Sequence, residues 1–266
     1  MFDLSLWALG TAIGLFILHQ RMVNSIGLGN DRLVDLNKVG NISIIMPTLN
    51  EALLVERALV SLQDQNVRVA YPERFEVIVV DSASQDETVQ IARKYADRVL
   101  TAPRGKLTAM DIGIREARGD IIVAVDADCN YNVNFLNLLL RHFENPNVVA
   151  VSGVEFMEHH EILSLLVENY VYAVKPRLHG RGSAYRKQAY FDIGGFNLDI
   201  NQQDVYSMMN EEEFGLWLRM SQVGECVRET RASVVASARR LECAHCQINK
   251  TEECAYCQEV TAGQRF

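Results

Sequence analysis

Apolar runs rich in β-branched residues recur between residues 42 and 125, each followed by a helix-length stretch with one polar face. Ile42–Met46, closed by Pro47, reads as a buried strand. Glu51–Gln65 follows, with Leu54, Ala58, Val60 and Leu62 suited to a helix face turned inward. Phe75–Val80 is a second strand ending at Asp81. Ser84, with Glu87 three residues on, has the form of a capping box opening a helix to about Tyr95. Arg98–Leu100 is a short third strand, Leu107–Ala117 a helix stopping near Gly119, and Ile121–Val125 a fourth strand ending at Asp126. Strands separated by helical patterns predict an α/β fold whose mostly parallel sheet is covered on both faces.

The polar residues stand where such a sheet takes ligands, in the crevice beyond the carboxyl ends of its strands. Three strand ends deliver Pro47-Thr48-Leu49-Asn50-Glu51, Asp81-Ser82-Ala83-Ser84 and Asp126-Ala127-Asp128. A Gly-x-x-x-x-Gly-Lys-Ser/Thr loop is absent, and Gly27-Leu28-Gly29 lacks both a third glycine and a preceding strand. A diphosphate held by carboxylates and strand-end loops needs a divalent cation between the negative charges. Asp126 and Asp128 can supply hard oxygen ligands to Mg²⁺ or Mn²⁺.

Composition narrows the field. The 266 residues are 48% hydrophobic and 23% charged, which excludes a disordered chain and is enough for a sizeable core. A formal charge of −8 argues against a nucleic-acid partner, which calls for a basic surface.

Both ends of the chain carry something extra. Leu4 to Leu18 is uncharged and is followed by Arg21, Arg32 and Lys38. As a helix it would reach roughly 22 Å, short of the roughly 30 Å hydrocarbon core. It is read as an N-terminal apolar helix that anchors the chain to a membrane, spanning or half-inserted, with the basic residues keeping the body on the cytoplasmic side. The alternative is a helix docked on the domain or on another subunit. At the other end, Cys243-x-x-Cys246 and Cys254-x-x-Cys257 offer four thiolates for a structural Zn²⁺, with disulfides or free thiols as the alternative.

Taken in order, strand-Pro47-Thr48-x-Asn50-Glu51, Val79-Val80-Asp81-Ser82-Ala83-Ser84-x-Asp86-x-Thr88, Gly105-Lys106-x-x-Ala109 and Asp126-Ala127-Asp128 resemble glycosyltransferase family 2, with its GT-A fold. The resemblance continues through Gly194-Gly195-Phe196 and Glu212-Glu213-x-x-Leu216-x-x-Arg219. It implies a Rossmann-like sheet over residues 41–240, after an apolar segment (1–22) and a linker (23–40) and before a Cys-rich tail (241–266).

The resemblance also implies roles. Pro47, Thr48 and Glu51 would lie against the nucleoside, and Asp81 against its base. Lys106, opening a helix after Gly105, would meet phosphate. Asp126 would face the ribose or the metal, and Asp128 would hold the metal. The catalytic base falls on Glu213, with Glu212 as the alternative; the family more often has Asp there, so the carboxylate stands one methylene further out. Asp111 stands where the family more often has Asn. Gly180 to Tyr185 resembles an acceptor-side loop, and Arg239 or Arg240 a contact to the leaving diphosphate.

The chemistry so implied is a metal-dependent, inverting, single displacement from a nucleoside-diphosphate sugar. The chain lacks Gln-x-x-Arg-Trp and a later set of apolar spans, so the expectation is a non-processive enzyme. Its acceptor is expected to be membrane-linked: a lipid-linked glycan, a polyprenyl phosphate or a surface glycan. The alternative is a non-catalytic nucleotide- or glycan-binding module on the same fold.

Overall fold

The computed structural model describes residues 32–158, 176–200, 207–208 and 210–237. The apolar run at Leu4–Leu18, Arg239, Arg240 and the four cysteines of the tail lie outside the described residues. Among the described residues no helix is long and apolar enough to cross a membrane.

Eight strands form one sheet: β1 (Ile42–Thr48), β2 (Phe75–Asp81), β3 (Arg98–Thr101), β4 (Ile121–Val125), β5 (Cys129–Tyr131), β6 (Val148–Met157), β7 (Gly182–Arg186) and β8 (Glu225–Ala236). Their spatial order is β3-β2-β1-β4-β7-β6-β8-β5. The first four are parallel, as their apolar runs predict. β7 is antiparallel to both β4 and β6, β8 is parallel to β6, and β5 closes the edge antiparallel to β8.

Alternation along each strand divides the core in two. Ile42, Ile44, Met46, Val77, Val79, Ile121, Val123 and Val125 belong to one cluster. There the helix Val55–Gln63 buries Val55, Ala58, Leu59 and Leu62. Ile45, Ile78, Val80, Ile122 and Ala124 belong to the other, with Leu107, Met110 and Ile114 from the long helix after β3.

Two expected helix starts are displaced. The stretch expected to be helical from Glu51 begins at Val55, because Asn50 sits at φ 54 and Glu51 O closes a turn by accepting the N–H groups of Leu54 and Val55. Ser84 does not cap the next helix. Its hydroxyl donates to Asp81 and accepts the Asn50 N–H, and the helix runs only over Thr88–Ala92, where Asp86 accepts the Thr88 N–H. The part of the expected linker that is described is packed. Leu36–Val39 is a helical turn whose Leu36 and Val39 join the core, and the Val34 N–H donates to buried Asn137.

Candidate active site

The carboxyl ends of β2, β1 and β4 lie side by side, and each opens into a polar loop. Thr48 and Asp81 are register partners at the ends of β1 and β2, and the Thr48 hydroxyl donates to Asp81 at 3.2 Å. Asp81 also accepts the Ser84 N–H at 2.9 Å. The two loops are stitched together further out. The Glu51 N–H donates to the Thr88 hydroxyl at 2.8 Å and the Gln85 N–H to Asn50 Oδ1 at 2.9 Å. Pro47 falls in the part of β1 beyond its register with β4, which ends at Ile45, so its missing N–H removes nothing from that ladder.

Lys106 opens the helix Lys106–Glu116 and reaches across to β4. Its ammonium is 3.0 Å from Asp126 and 3.0 Å from Glu212 Oε1; the second contact is an ion pair without hydrogen-bond alignment. Burial alone would lower the Lys106 pKa, but the Asp126 and Glu212 carboxylates outweigh it and the net shift is upward.

Asp126 is gripped on its other side by Arg181, Nε to Oδ2 at 3.3 Å. The same guanidinium lies 4.0 Å from Asp128 and hydrogen-bonds Glu155. Strand direction explains this meeting. Because β7 runs antiparallel between β4 and β6, its Gly182 pairs with Val125, and the residue before it stands beside Asp126. The buried Tyr131 hydroxyl fixes the junction, accepting the Asp126 N–H at 2.9 Å and lying 3.1 Å from Arg181 O.

The three consecutive glutamates go three ways. They sit in a wide π-helical turn, Asn210–Gly215, a form often found at functional sites. Glu211 pairs with Arg219 and accepts the Asn197 N–H at 2.9 Å, tying down the Gly194-Gly195-Phe196 turn, whose Gly195 O accepts from Arg219. Glu212 turns to Lys106. Glu213 turns to Arg177, 3.2 Å from its Nη1. Burial raises Glu212, with Lys106 pulling the other way. Burial pushes Glu213 up to about 7 against the opposing pull of Arg177 and His179.

Lys106, Asp126, Asp128 and Glu212 therefore come together, Glu213 lies alongside with its own arginine, and Thr48 and Asp81 lie on the β2 side. Arg181 enters from a loop the sequence assigns to the acceptor, and Glu155 and His179 carry no sequence signal at all. A sign was present for Arg181: it is bracketed by Gly180 and Gly182, and a Cβ at Gly180 would collide with the Glu212 carboxylate. The Cys129 thiol donates to Asp128 Oδ1 at 3.4 Å and so lies at the site; burial pushes the thiols of Cys129 and Cys226 up, Cys226 to about 12.

The donors at Asp126 and Asp128 are hard oxygens, and the carboxylates of Asp126, Asp128, Glu155 and Glu212 outnumber the two cations Lys106 and Arg181 by two. That excess fits a divalent cation. Among the described residues no group of three or more His, Cys, Asp and Glu side chains is gathered around one point, so such an ion would draw further ligands from phosphate or water.

Comparison with known proteins agrees with this architecture. The chain is 31% identical over 124 residues to glycosyltransferase AglE of Haloferax volcanii, covering 43% of this chain and 40% of the relative. It is 37% identical over 124 residues to dodecaprenyl-phosphate galacturonate synthase of Rhizobium johnstonii, covering 42% of this chain and 35% of the relative. The chain thus spans less than half the length of either relative. Its fold is similar to that of the mannosyltransferase PcManGT from Pyrobaculum calidifontis, solved with GDP-Man and Mn²⁺, at a TM-score of 0.59 and 21% identity over 98% of this chain and 78% of that one. The family model described as glycosyl transferase family 2 matches residues 43–195, from β1 through the turn that Glu211 and Arg219 hold. With more than half of its length inside that match, the chain belongs to glycosyl transferase family 2.

Proposed function

We propose that the chain moves a sugar from a nucleoside-diphosphate sugar to an acceptor hydroxyl, with a divalent cation and inversion at the anomeric carbon. The observation that carries this reading is the meeting of Lys106, Asp126 and Asp128 with the buried carboxylates Glu212 and Glu213 beside the polar ends of β1 and β2. Similar structures solved with GDP-Man and Mn²⁺ or with UDP-GlcNAc support the donor class and the cation.

In this reading Pro47, Thr48 and Glu51 flank the nucleoside and Asp81 meets its base. Lys106 neutralises phosphate from the first turn of its helix. Asp126 and Asp128 would hold Mg²⁺ or Mn²⁺, which when bound supplies charge neutralisation to the departing diphosphate. Glu213 is the base: a carboxyl near 7 is poised to take the proton from the acceptor hydroxyl as that oxygen attacks. One displacement, with the base and the leaving group on opposite sides of the sugar carbon, inverts its configuration. Glu212 is the alternative base, already engaged by Lys106.

The acceptor is membrane-linked and the transfer non-processive. The galacturonate synthase relative, named for dodecaprenyl phosphate, and poly-β-1,6-N-acetyl-D-glucosamine synthase of Staphylococcus epidermidis support lipid-linked or polysaccharide acceptors. Leu4–Leu18 anchors the chain on the cytoplasmic side, Arg239 or Arg240 contacts the leaving group, and Cys243, Cys246, Cys254 and Cys257 hold zinc.

Thermal unfolding in the presence of nucleoside diphosphates and nucleotide sugars, each with Mn²⁺, Mg²⁺ or chelator, tests the donor half. A ligand that binds the folded state alone raises its stability. One nucleotide should give a metal-dependent upward shift that Asp128→Ala abolishes. No shift with any donor sinks the transferase reading in favour of a binding module.

A further inference from the structure

We propose that Arg181 is a built-in competitor for the cation site, holding Asp126 and Asp128 in the metal-free protein and releasing them when a divalent ion takes the same oxygens. The inference rests on the reading of Asp126 and Asp128 as the cation's ligands. Among the described residues Arg181 is the side chain that reaches both, with Nε at 3.3 Å from Asp126 and 4.0 Å from Asp128. Lys106 also contacts Asp126, but it is shared with Glu212 on the far side.

The position of Arg181 is imposed by the fold. Antiparallel pairing of β4 with β7 fixes the backbone of residue 181 beside the end of β4, and the Tyr131 hydroxyl ties Arg181 O to the Asp126 backbone. Glu155 holds the other arm of the guanidinium. That second anchor gives Arg181 somewhere to remain when it lets the aspartates go, so release is a short withdrawal toward Glu155. Asp126 already carries Lys106 and Arg181, at 3.0 and 3.3 Å, so a divalent ion on the Asp126–Asp128 oxygens brings a third cation to ion-pair distance and repels both. Of the two, Arg181 is the one that also lies at Asp128, so metal binding and the Arg181 contact oppose each other. Apparent metal affinity is then reduced by the fraction of molecules in which Arg181 has withdrawn.

The test is titration of the full chain with Mn²⁺ alone, read by loss of the free-ion EPR signal, for the wild type, R181Q, R181K and D128N. If the withdrawn state is populated at about a tenth or less, R181Q should bind Mn²⁺ about tenfold tighter or more. R181K keeps the charge but loses the planar fork, and should fall between R181Q and the wild type. Binding through the aspartates is the part that D128N removes, which separates it from any ion taken by the cysteine tail.

Equal or weaker Mn²⁺ affinity in R181Q, with D128N-sensitive binding intact, overturns the competition and leaves the cation reading standing. Where R181Q does not fold, an R181K affinity equal to the wild type overturns it in the same way. Binding that D128N leaves untouched, or none in either the wild type or R181Q, defeats the cation reading and the proposal together.

Discussion

Lys106 and Glu212 meet at 3.0 Å, one at the first turn of the helix after β3, the other on the π-helical turn after β7. That single ammonium joins the two halves of the site, because its other contact is Asp126 at the end of β4. Lys106→Met leaves buried Glu212 and half-buried Asp126 without their shared cation. Breaking a buried pair from one side costs about 3 kcal/mol, and denaturant unfolding at pH 7 should read a loss of that order. A loss under about 0.5 kcal/mol would mean the contact behaves as a surface pair.

Glu213 gives the chain a distinct pH signature. Its carboxyl is held at about 7 by burial, above its unfolded value. The folded state therefore binds more protons than the unfolded state between about pH 4.5 and 7, and the Glu213 contribution to stability falls as pH rises through that window. Glu213→Gln should flatten this fall, and because it also removes the ion pair with Arg177, the slope with pH is the readout. Parallel unfolding curves for the two proteins from pH 5 to 8 would contradict it. The same group predicts a transfer rate that climbs with pH through about 7 and loses that limb in the variant.

Gly180 lies against the Glu212 carboxylate so closely that an added methyl has to push it aside. Glu212 is a flexible side chain, so Gly180→Ala should cost little stability, about 1 kcal/mol or less. Displacing a reacting group by an ångström can cost about a hundredfold in rate. The expected outcome is a folded variant with transfer reduced at least about tenfold, measured by donor turnover beside a melting curve. Normal turnover would show that the orientation of Glu212 toward Lys106 is dispensable.

Asp111 departs from the Asn more often found in the family. Its Oδ1 accepts from the Tyr190 hydroxyl at 2.9 Å, which in turn accepts the Phe196 N–H at 3.0 Å, while Arg115 pairs with the other oxygen. An amide oxygen can take the Tyr190 bond equally well, and the Arg115 side chain is 58% exposed. Asp111→Asn should stay within about 1 kcal/mol of wild type, since only an exposed ion pair is lost. Asp111→Leu, which strands the Tyr190 hydroxyl, should cost about 1–3 kcal/mol more.

The sequence by itself determined the parallel half of the molecule. β1, β2 and β4 are apolar runs with polar ends, a local signal that survives any tertiary arrangement, and it located Thr48, Asp81, Asp126 and Asp128 at the edge where the fold gathers them, while Lys106 was pointed out by the family resemblance alone. It misjudged Ser84 and Glu87 because a serine can cap a helix or bond a neighbouring aspartate equally well. Here Asp81 stood within reach only after β1 and β2 had paired.

Tertiary structure alone decided the other half. Three adjacent glutamates are chemically identical in the sequence, and only the π-helical turn sends Glu211 to Arg219, Glu212 to Lys106 and Glu213 to Arg177. Arg181 is 55 residues from Asp126 along the chain. The antiparallel direction of β7 brings the two together, and strand direction is a property of the paired sheet that no single strand encodes.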